Sequence, residues 1–346
     1  WERIRLADPN TGKIPNNIRK KEMMYAKTLP KSTVVSKSNW VHRGPYNVGG
    51  RTRALAIDVL DENTLFAGGA SGGMFRSTDG GQSWSMTTDA SQLHNVTCVS
   101  QDIRDGKENT WYFGSGELTG SSASAAGAYY GGNGIYKSID GGLSWDSLSV
   151  TASNTNGFDS NFDFIWNIET DPSNDSLDVV YAATYGSVYR SENGGESWIK
   201  ELGTSSNAYY NNIEVTSDGV VYATLSSDGS DKGIWRSLDG QNWTNITDSL
   251  FPPIYGRIAI GINPSNEDQV YFLAAETDNY GQHTDVFFNG QTWTSLWKFD
   301  ASDSSWIDLS LNIPANQTTS FDNFNAQGGY DLLVKVHPSD PNTVYI

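Results

Sequence analysis

Cysteine is nearly missing from these 346 residues: Cys98 stands alone, so no intrachain disulfide can form. Histidine is almost as scarce, and the four residues, His42, His94, His283 and His337, are scattered. No Cys/His spacing suits a transition metal, and no Gly-rich phosphate loop or Ser-His-Asp arrangement is present. Acidic loops such as Asp228–Asp231 could hold Ca2+ through oxygen ligands, yet they match no complete binding motif, and neither a cofactor nor a metal set is expected. No apolar run is long enough to span a membrane. Basic residues are few, 23 Lys plus Arg against 40 Asp plus Glu, for a net charge of −17. That balance excludes nucleic acid and other polyanions as natural partners. The charge is uneven: residues 1–38 hold nine basic and three acidic side chains. This stretch reads as a solvated basic arm lying on an acidic body, with weak helical character over Asn17–Leu29 between Pro15 and Pro30. An initiator Met is also lacking, Trp1 standing in its place, so the chain is expected to be processed or trimmed.

What the chain has in abundance is one sentence, S-x-D-x-G-x-x-W. It is written as Ser77, Asp79, Gly81, Trp84; as Ser138, Asp140, Gly142, Trp145; as Ser191, Asn193, Gly195, Trp198; and, one residue shorter, as Ser237, Asp239, Trp243. A period of this size points to stacked supersecondary units. Alternating runs such as Gly73–Ser77 and Gly233–Ser237 precede each copy, and a short run follows, which describes a β-hairpin. Asp or Asn fixes the turn by accepting backbone N–H groups, Gly supplies positive φ, and the Trp is expected to be buried where neighbouring hairpins meet. Upstream of each copy lie two further strand-like runs, for example Asn212–Val215 and Val220–Thr224. Four antiparallel strands per unit make one propeller blade.

The expected fold is therefore an all-β propeller with blades at about 50–88, 94–150, 162–202, 210–248 and 255–310, and an incomplete one at 329–346. The fifth blade lacks a proper turn motif and ends on Trp306. Asn39–Pro45, with Trp40 in the same register, reads as the strand that closes the last blade. The complete ring is expected to hold about seven or more blades, five and a part of them here.

The repeated motif resembles the Asp-box, or BNR repeat, of sialidases, sortilin-type receptors, xyloglucanases and photosystem assembly factors. The resemblance implies that the box residues are structural and lie at the blade periphery. A narrower resemblance, carried by Trp40–Asp58 and by Gly68–Gly81, is to large surface proteins of Bacteroidota. It implies export through the type IX secretion system, release or anchoring at the cell surface, and contact with the outer-membrane secretion machinery during export. Three Asp-Ser-Leu triplets, at Asp146, Asp175 and Asp248, resemble the O-glycosylation motif of that phylum.

Ligands of propellers sit over the central channel, and two loops near it are long, 115–133 and 276–289. Near the inner-strand entries lie the candidate ligand-binding residues Arg51, Arg53, Trp166, Tyr185, Tyr255, Arg257, Glu276 and Asp331. Arginines, carboxylates and aromatic rings facing one cavity suit a carbohydrate. Glu117 and Asp163 are the candidate catalytic carboxylates. A sialidase reading could draw on Arg51 and Arg257, but the Arg-Ile-Pro signature is absent. A xyloglucanase-type hydrolase uses paired carboxylates across a cleft, and its first-blade Asp is replaced here, the matching stretch being Ala70-Ser71-Gly72-Gly73. The leading expectation is a secreted or surface binding module for glycans or protein partners, the passenger region of a larger export substrate. The alternative is a xyloglucanase- or sialidase-like glycoside hydrolase.

Overall fold

A computed structural model describes the chain apart from residues 1–6, 9, 17, 30–49, 90–91, 93–94, 123–124, 154–157, 204–207, 286–291, 315–323, 325 and 327–328. The closing strand expected around Trp40 lies outside the described residues.

Helix α1 (Ile18–Thr28) is followed by β-structure throughout. β1 (Thr52–Ile57), β2 (Leu65–Gly69), β3 (Gly73–Ser77) and β4 (Ser85–Met86) form the first antiparallel sheet. β5 (Val96–Gln101), β6 (Trp111–Ser115), β9 (Ile135–Ser138) and β10 (Asp146–Ser147) form the second. Its β6–β9 connection carries an extra hairpin, β7 (Glu117–Ser122) and β8 (Ala125–Tyr130). β11 (Ile165–Thr170) to β14 (Ile199–Leu202) and β15 (Asn211–Val215) to β18 (Trp243–Asn245) are plain four-stranded meanders. The fifth sheet joins β19 (Ile258–Ile262), β20 (Gln269–Ala275) and the long β22 (Thr292–Asp300). β22 pairs with β21 (Gln282–Asp285) near its start and with β23 (Ser305–Asp308) at its end. A two-stranded sheet, β24 (Lys335–His337) and β25 (Asp340–Tyr345), comes last. The first strands of successive sheets, β1, β5, β11, β15, β19 and β24, neighbour one another in order around a common axis. This is a β-propeller, entered from the middle outwards blade by blade.

Among the described residues, five apolar layers hold the blades face to face. Between the first and second, Phe66 and Trp111 meet at 4.3 Å and Phe113 and Trp145 at 4.8 Å, all buried. Large aromatic side chains supply most of such an interface's buried apolar area. Gly114 shows how closely sheets approach: a Cβ there would lie 2.6 Å from Ile165 Cγ2 of the next blade. Cys98 lies in the following layer, where burial pushes its thiol up to about 12, leaving it a small apolar side chain. The basic arm touches the body through Lys27, 3.9 Å from Asp89, an exposed pair of little energetic weight.

The three full-length copies of the turn share one hydrogen-bond pattern. Ser138 Oγ donates to Asp140 Oδ1 at 2.7 Å and accepts the Gly142 N–H at 2.9 Å. Asp140 Oδ1 then accepts the Ser144 N–H at 3.0 Å, and Oδ2 the Ser144 hydroxyl at 2.6 Å. Ser77–Asp79–Ser83 repeats these contacts, and Asn193 keeps them with its amide donating to Ser197 Oγ. In the shortened copy Asp239 caps Gln241 and Asn242 instead. These bonds pull Asp79 and Asp140 down to about 2. The tryptophans depart from expectation. Trp145 is buried between blades, but Trp84 is 40% exposed and Trp198 and Trp243 are half-buried. The indole N–H of Trp84 and of Trp198 reaches back to the Gly81 and Gly195 carbonyls at 3.0 and 3.1 Å. The ring of those copies thus closes its own turn first, and its burial depends on what the adjoining blade offers.

Candidate functional site

Three of the inner strands carry a β-bulge at the same height. Pairing skips between Thr52 and Ala54 in β1, between Val96 and Cys98 in β5 and between Ile165 and Asn167 in β11. The unpaired residues are Arg53, Thr97 and Trp166, and all three line a central cavity of about 800 Å3. A bulge re-aims the side chain of the extra residue. Here it delivers one cation and one indole to the channel mouth, while Thr97 spends its hydroxyl on the Ile165 carbonyl at 2.7 Å, tying two blades together.

Beside Arg53 the candidate residues gather into one cluster. Arg51 grips Glu117 through two hydrogen bonds, Nη1 to Oε1 at 2.9 Å and Nη2 to Oε2 at 2.7 Å. The Tyr330 hydroxyl donates to Glu117 Oε1 at 2.7 Å and also contacts Arg51. The Glu117 side chain is fully buried. Arg53 lies over the Tyr330 ring at 4.6 Å, with Nε 3.9 Å from Glu117. Arg257, just before β19, donates to the Tyr330 and Gly329 carbonyls at 3.1 and 3.4 Å and faces the Trp166 ring at 5.9 Å. Desolvation, and then the like charge of Arg53, hold Arg257 down at about 10.

From Trp166, at the cavity, an aromatic run leads away over residues of the third and fourth blades. Trp166 and Tyr210 are 5.1 Å apart, Tyr210 and Tyr209 5.1 Å, Tyr209 and Tyr185 5.6 Å, and Tyr185 and Phe158 5.0 Å. The Trp166 indole N–H is held by the Tyr209 carbonyl at 3.0 Å. Phe158 and Tyr209 are exposed, and Trp166, Tyr185 and Tyr210 half-buried, so rings are open to a ligand along the run.

Asp163, Tyr255 and Glu276 sit apart from the cluster, and Asp331 sits at its edge. Asp163 is buried, its Oδ2 accepting the Asp159 and Ser160 N–H groups at 2.9 and 3.0 Å as the cap of a short 3-10 turn, and burial raises its pKa. Tyr255 is packed at 5.5 Å against Phe251 in the layer between the fourth and fifth blades, a core side chain rather than a channel one. Glu276 is exposed at a turn with φ 58 after β20, and Asp331 is exposed at the rim of the cavity. Asp228 accepts the Tyr209 N–H at 3.0 Å, and among the described residues no group of three or more His, Cys, Asp or Glu converges as a metal site.

Residues absent from the sequence reading matter as much. Tyr330 joins the last sheet to the first. Deeper in the channel, Lys335 pairs with Glu214 at 2.9 Å, and Glu169 stands beside them, raised to about 8 by burial and then by Glu214. A signal for these was present: Asn167-Ile-Glu169 and Asn212-Ile-Glu214 repeat one triplet at the same strand height. The two amides link across blades, Asn167 Nδ2 lying 3.2 Å from Asn212 Oδ1.

No protein-family model matches the chain. It is 22% identical over 364 residues to a xyloglucanase of Paenibacillus sp, covering 88% of this chain and 33% of that protein. It is 22% identical over 302 residues to a xyloglucanase of Hypocrea jecorina, covering 75% and 34%. The chain thus spans about one third of the length of these curated relatives. Among solved structures it is similar to an ancestral GH74 enzyme, with TM-score 0.57 and 19% identity, covering 85% of this chain and 34% of that one. That likeness establishes the propeller fold. Among the described residues no helix is long and apolar enough to cross a membrane.

Proposed function

We propose that this chain is the glycan-holding propeller of a xyloglucanase-type glycoside hydrolase. The observation that carries the reading is the unbroken aromatic run from Trp166 to Phe158, which starts at the central cavity with Arg257 over the Trp166 ring. Sugar rings stack their C–H faces on aromatic rings, and their hydroxyls meet polar groups at the edges. The xyloglucanase relatives support the same substrate class. The binding face is assigned to this chain, while the paired carboxylates of hydrolysis are not assigned to Glu117 or Asp163. Glu117 already accepts three hydrogen bonds, and Asp163 is committed to capping.

That engagement favours a second reading, a binding module without hydrolysis. Under either reading the four turns are Asp-boxes, and the protein is a secreted or surface protein of the Bacteroidota type exported by the type IX system. The test is the full-length protein with xyloglucan oligosaccharides, followed by calorimetry for binding and by release of reducing ends for hydrolysis. Binding that falls about tenfold or more in Trp166→Ala, as expected for loss of a stacking ring, supports the face. Reducing-end release selects the enzyme, and binding without release selects the module. Unaltered binding in Trp166→Ala rejects the face.

A further inference from the structure

The geometry points to a carboxylate-binding subsite at the channel mouth, formed by Arg53 and Arg257 between the rings of Tyr330 and Trp166, that takes a uronic-acid residue borne on an otherwise neutral glycan. The inference deepens the glycan reading above and rests on it for the identity of the ligand.

Three guanidinium groups converge at the mouth, and their charges are not equally spent. Arg51 is satisfied by its two-point pair with Glu117. Arg53 has only a long hydrogen bond, 3.5 Å, to the Tyr330 carbonyl and a 3.9 Å contact to Glu117, a carboxylate that Arg51 and Tyr330 already hold by hydrogen bonds. Its side chain is only 10% exposed, and its Nε has no hydrogen-bond partner among the described residues. Arg257 donates to two main-chain carbonyls. A buried guanidinium N–H without an acceptor is a costly group, and it is usual for such a donor to find one. Arg53 Nε itself is covered, but both side chains line the 800 Å3 cavity, so an acceptor can approach their outer guanidinium nitrogens from solvent. The lowered pKa of Arg257 has the same physical origin, a desolvated positive charge beside another one that the exposed Asp331 carboxylate offsets only in part, and a further anion would relieve it.

The acceptor's chemistry follows from its surroundings. A planar guanidinium matches a planar carboxylate in two-point geometry. Trp166 leads from the pair onto the aromatic run, which places the carboxylate on a ring that can stack. The chain's net charge of −17 opposes a polyanion. A single acidic branch on a neutral backbone escapes that repulsion, since charges beyond about 10 Å are screened in ordinary salt. Deeper in the channel Lys335 is already paired with Glu214, and Glu169 holds its proton below about 8, so no unspent cation draws the acid past the entrance.

The experiment is calorimetric titration of the full-length protein with glucuronosyl-xylotriose, with xylotriose, with a xyloglucan oligosaccharide and with sodium glucuronate. The glucuronosyl group is expected to tighten binding about tenfold over xylotriose, the scale of a charge-assisted pair. The gain should vanish in Arg257→Gln, return in part in Arg257→Lys, and shrink as NaCl is raised. Thermal melts check that the variants fold, and the salt dependence on the unaltered protein stands even where a variant does not. A protein that binds the neutral sugars but gains nothing from the acid overturns the subsite and keeps the glycan reading. One that binds glucuronate through Arg257 but no neutral sugar keeps the subsite and overturns the polysaccharide. A gain that survives Arg257→Gln unchanged also overturns the subsite.

Discussion

Arg51 and Glu117 clasp each other across the first two blades, both carboxylate oxygens held at 2.9 and 2.7 Å, with Glu117 fully buried and Arg51 about one third exposed. Removing one partner of such a pair leaves a charge without its counter-ion. Arg51→Ala is expected to destabilise the propeller by about 2 kcal/mol, less than for a fully buried pair because Tyr330 and Arg53 remain. Urea unfolding monitored by tryptophan fluorescence measures the cost. Glu117→Gln should lower the midpoint as well. A Glu117→Gln protein with an unmoved midpoint and no hydrolysis would instead make Glu117 catalytic.

The repeated turn makes a sharper comparison possible within one copy. Asp140→Ala removes caps from exposed N–H groups that water can replace, so about 1 kcal/mol is expected. Gly142→Ala is different. Its φ is +75, and the new Cβ would lie 2.2 Å from Phe66 Cε1 in the layer between blades one and two. Backbone strain adds to overpacking, and about 3 kcal/mol is expected. The ranking is read from the two midpoints under the same conditions. Equal midpoints would mean that Phe66 yields and the layer is loosely packed.

The contrast explains what was legible in the sequence. A turn such as Ser138–Trp145 is written in eight consecutive residues, and each bond closes within four positions, so the blade repeat and the propeller could be read directly. The mouth of the channel could be read only in part. Arg53, Trp166 and Arg257 stood out by type and by strand entry, but Tyr330 meets Arg51 across 279 residues, a separation no local pattern encodes. Tyr255 misled because an aromatic before an inner strand serves the core between blades as well as it serves the mouth. The bulges that aim Arg53 and Trp166 leave no residue signature of their own. Trp84 is more exposed than its motif suggests because the motif fixes the fold of its own turn, whereas burial is decided by the neighbour.

Glu169 and Glu214 give the channel a pH dependence of known sign. Burial, then Glu214, raise the Glu169 carboxyl to about 8 from an ordinary 4.5, and the Lys335 charge offsets part of this. Between those values the folded protein holds a proton that the unfolded chain has released. Stability is therefore greatest near and below the unfolded value and falls as pH rises through the window toward 8. Acidic residues with lowered pKa, such as Asp79 and Asp140 at about 2, act in the opposite sense and only below their ordinary 3.8, outside this window. Glu169→Gln keeps an uncharged side chain of the same shape and cannot titrate. The melting temperature of the unaltered protein should decline from about pH 5 to about pH 8 more steeply than that of Glu169→Gln, and the two curves should meet at the acid end. Histidines contribute equally to both proteins, so the difference isolates Glu169. Parallel curves would show that Glu169 is ionised in the folded channel throughout this range and that Lys335 serves both carboxylates.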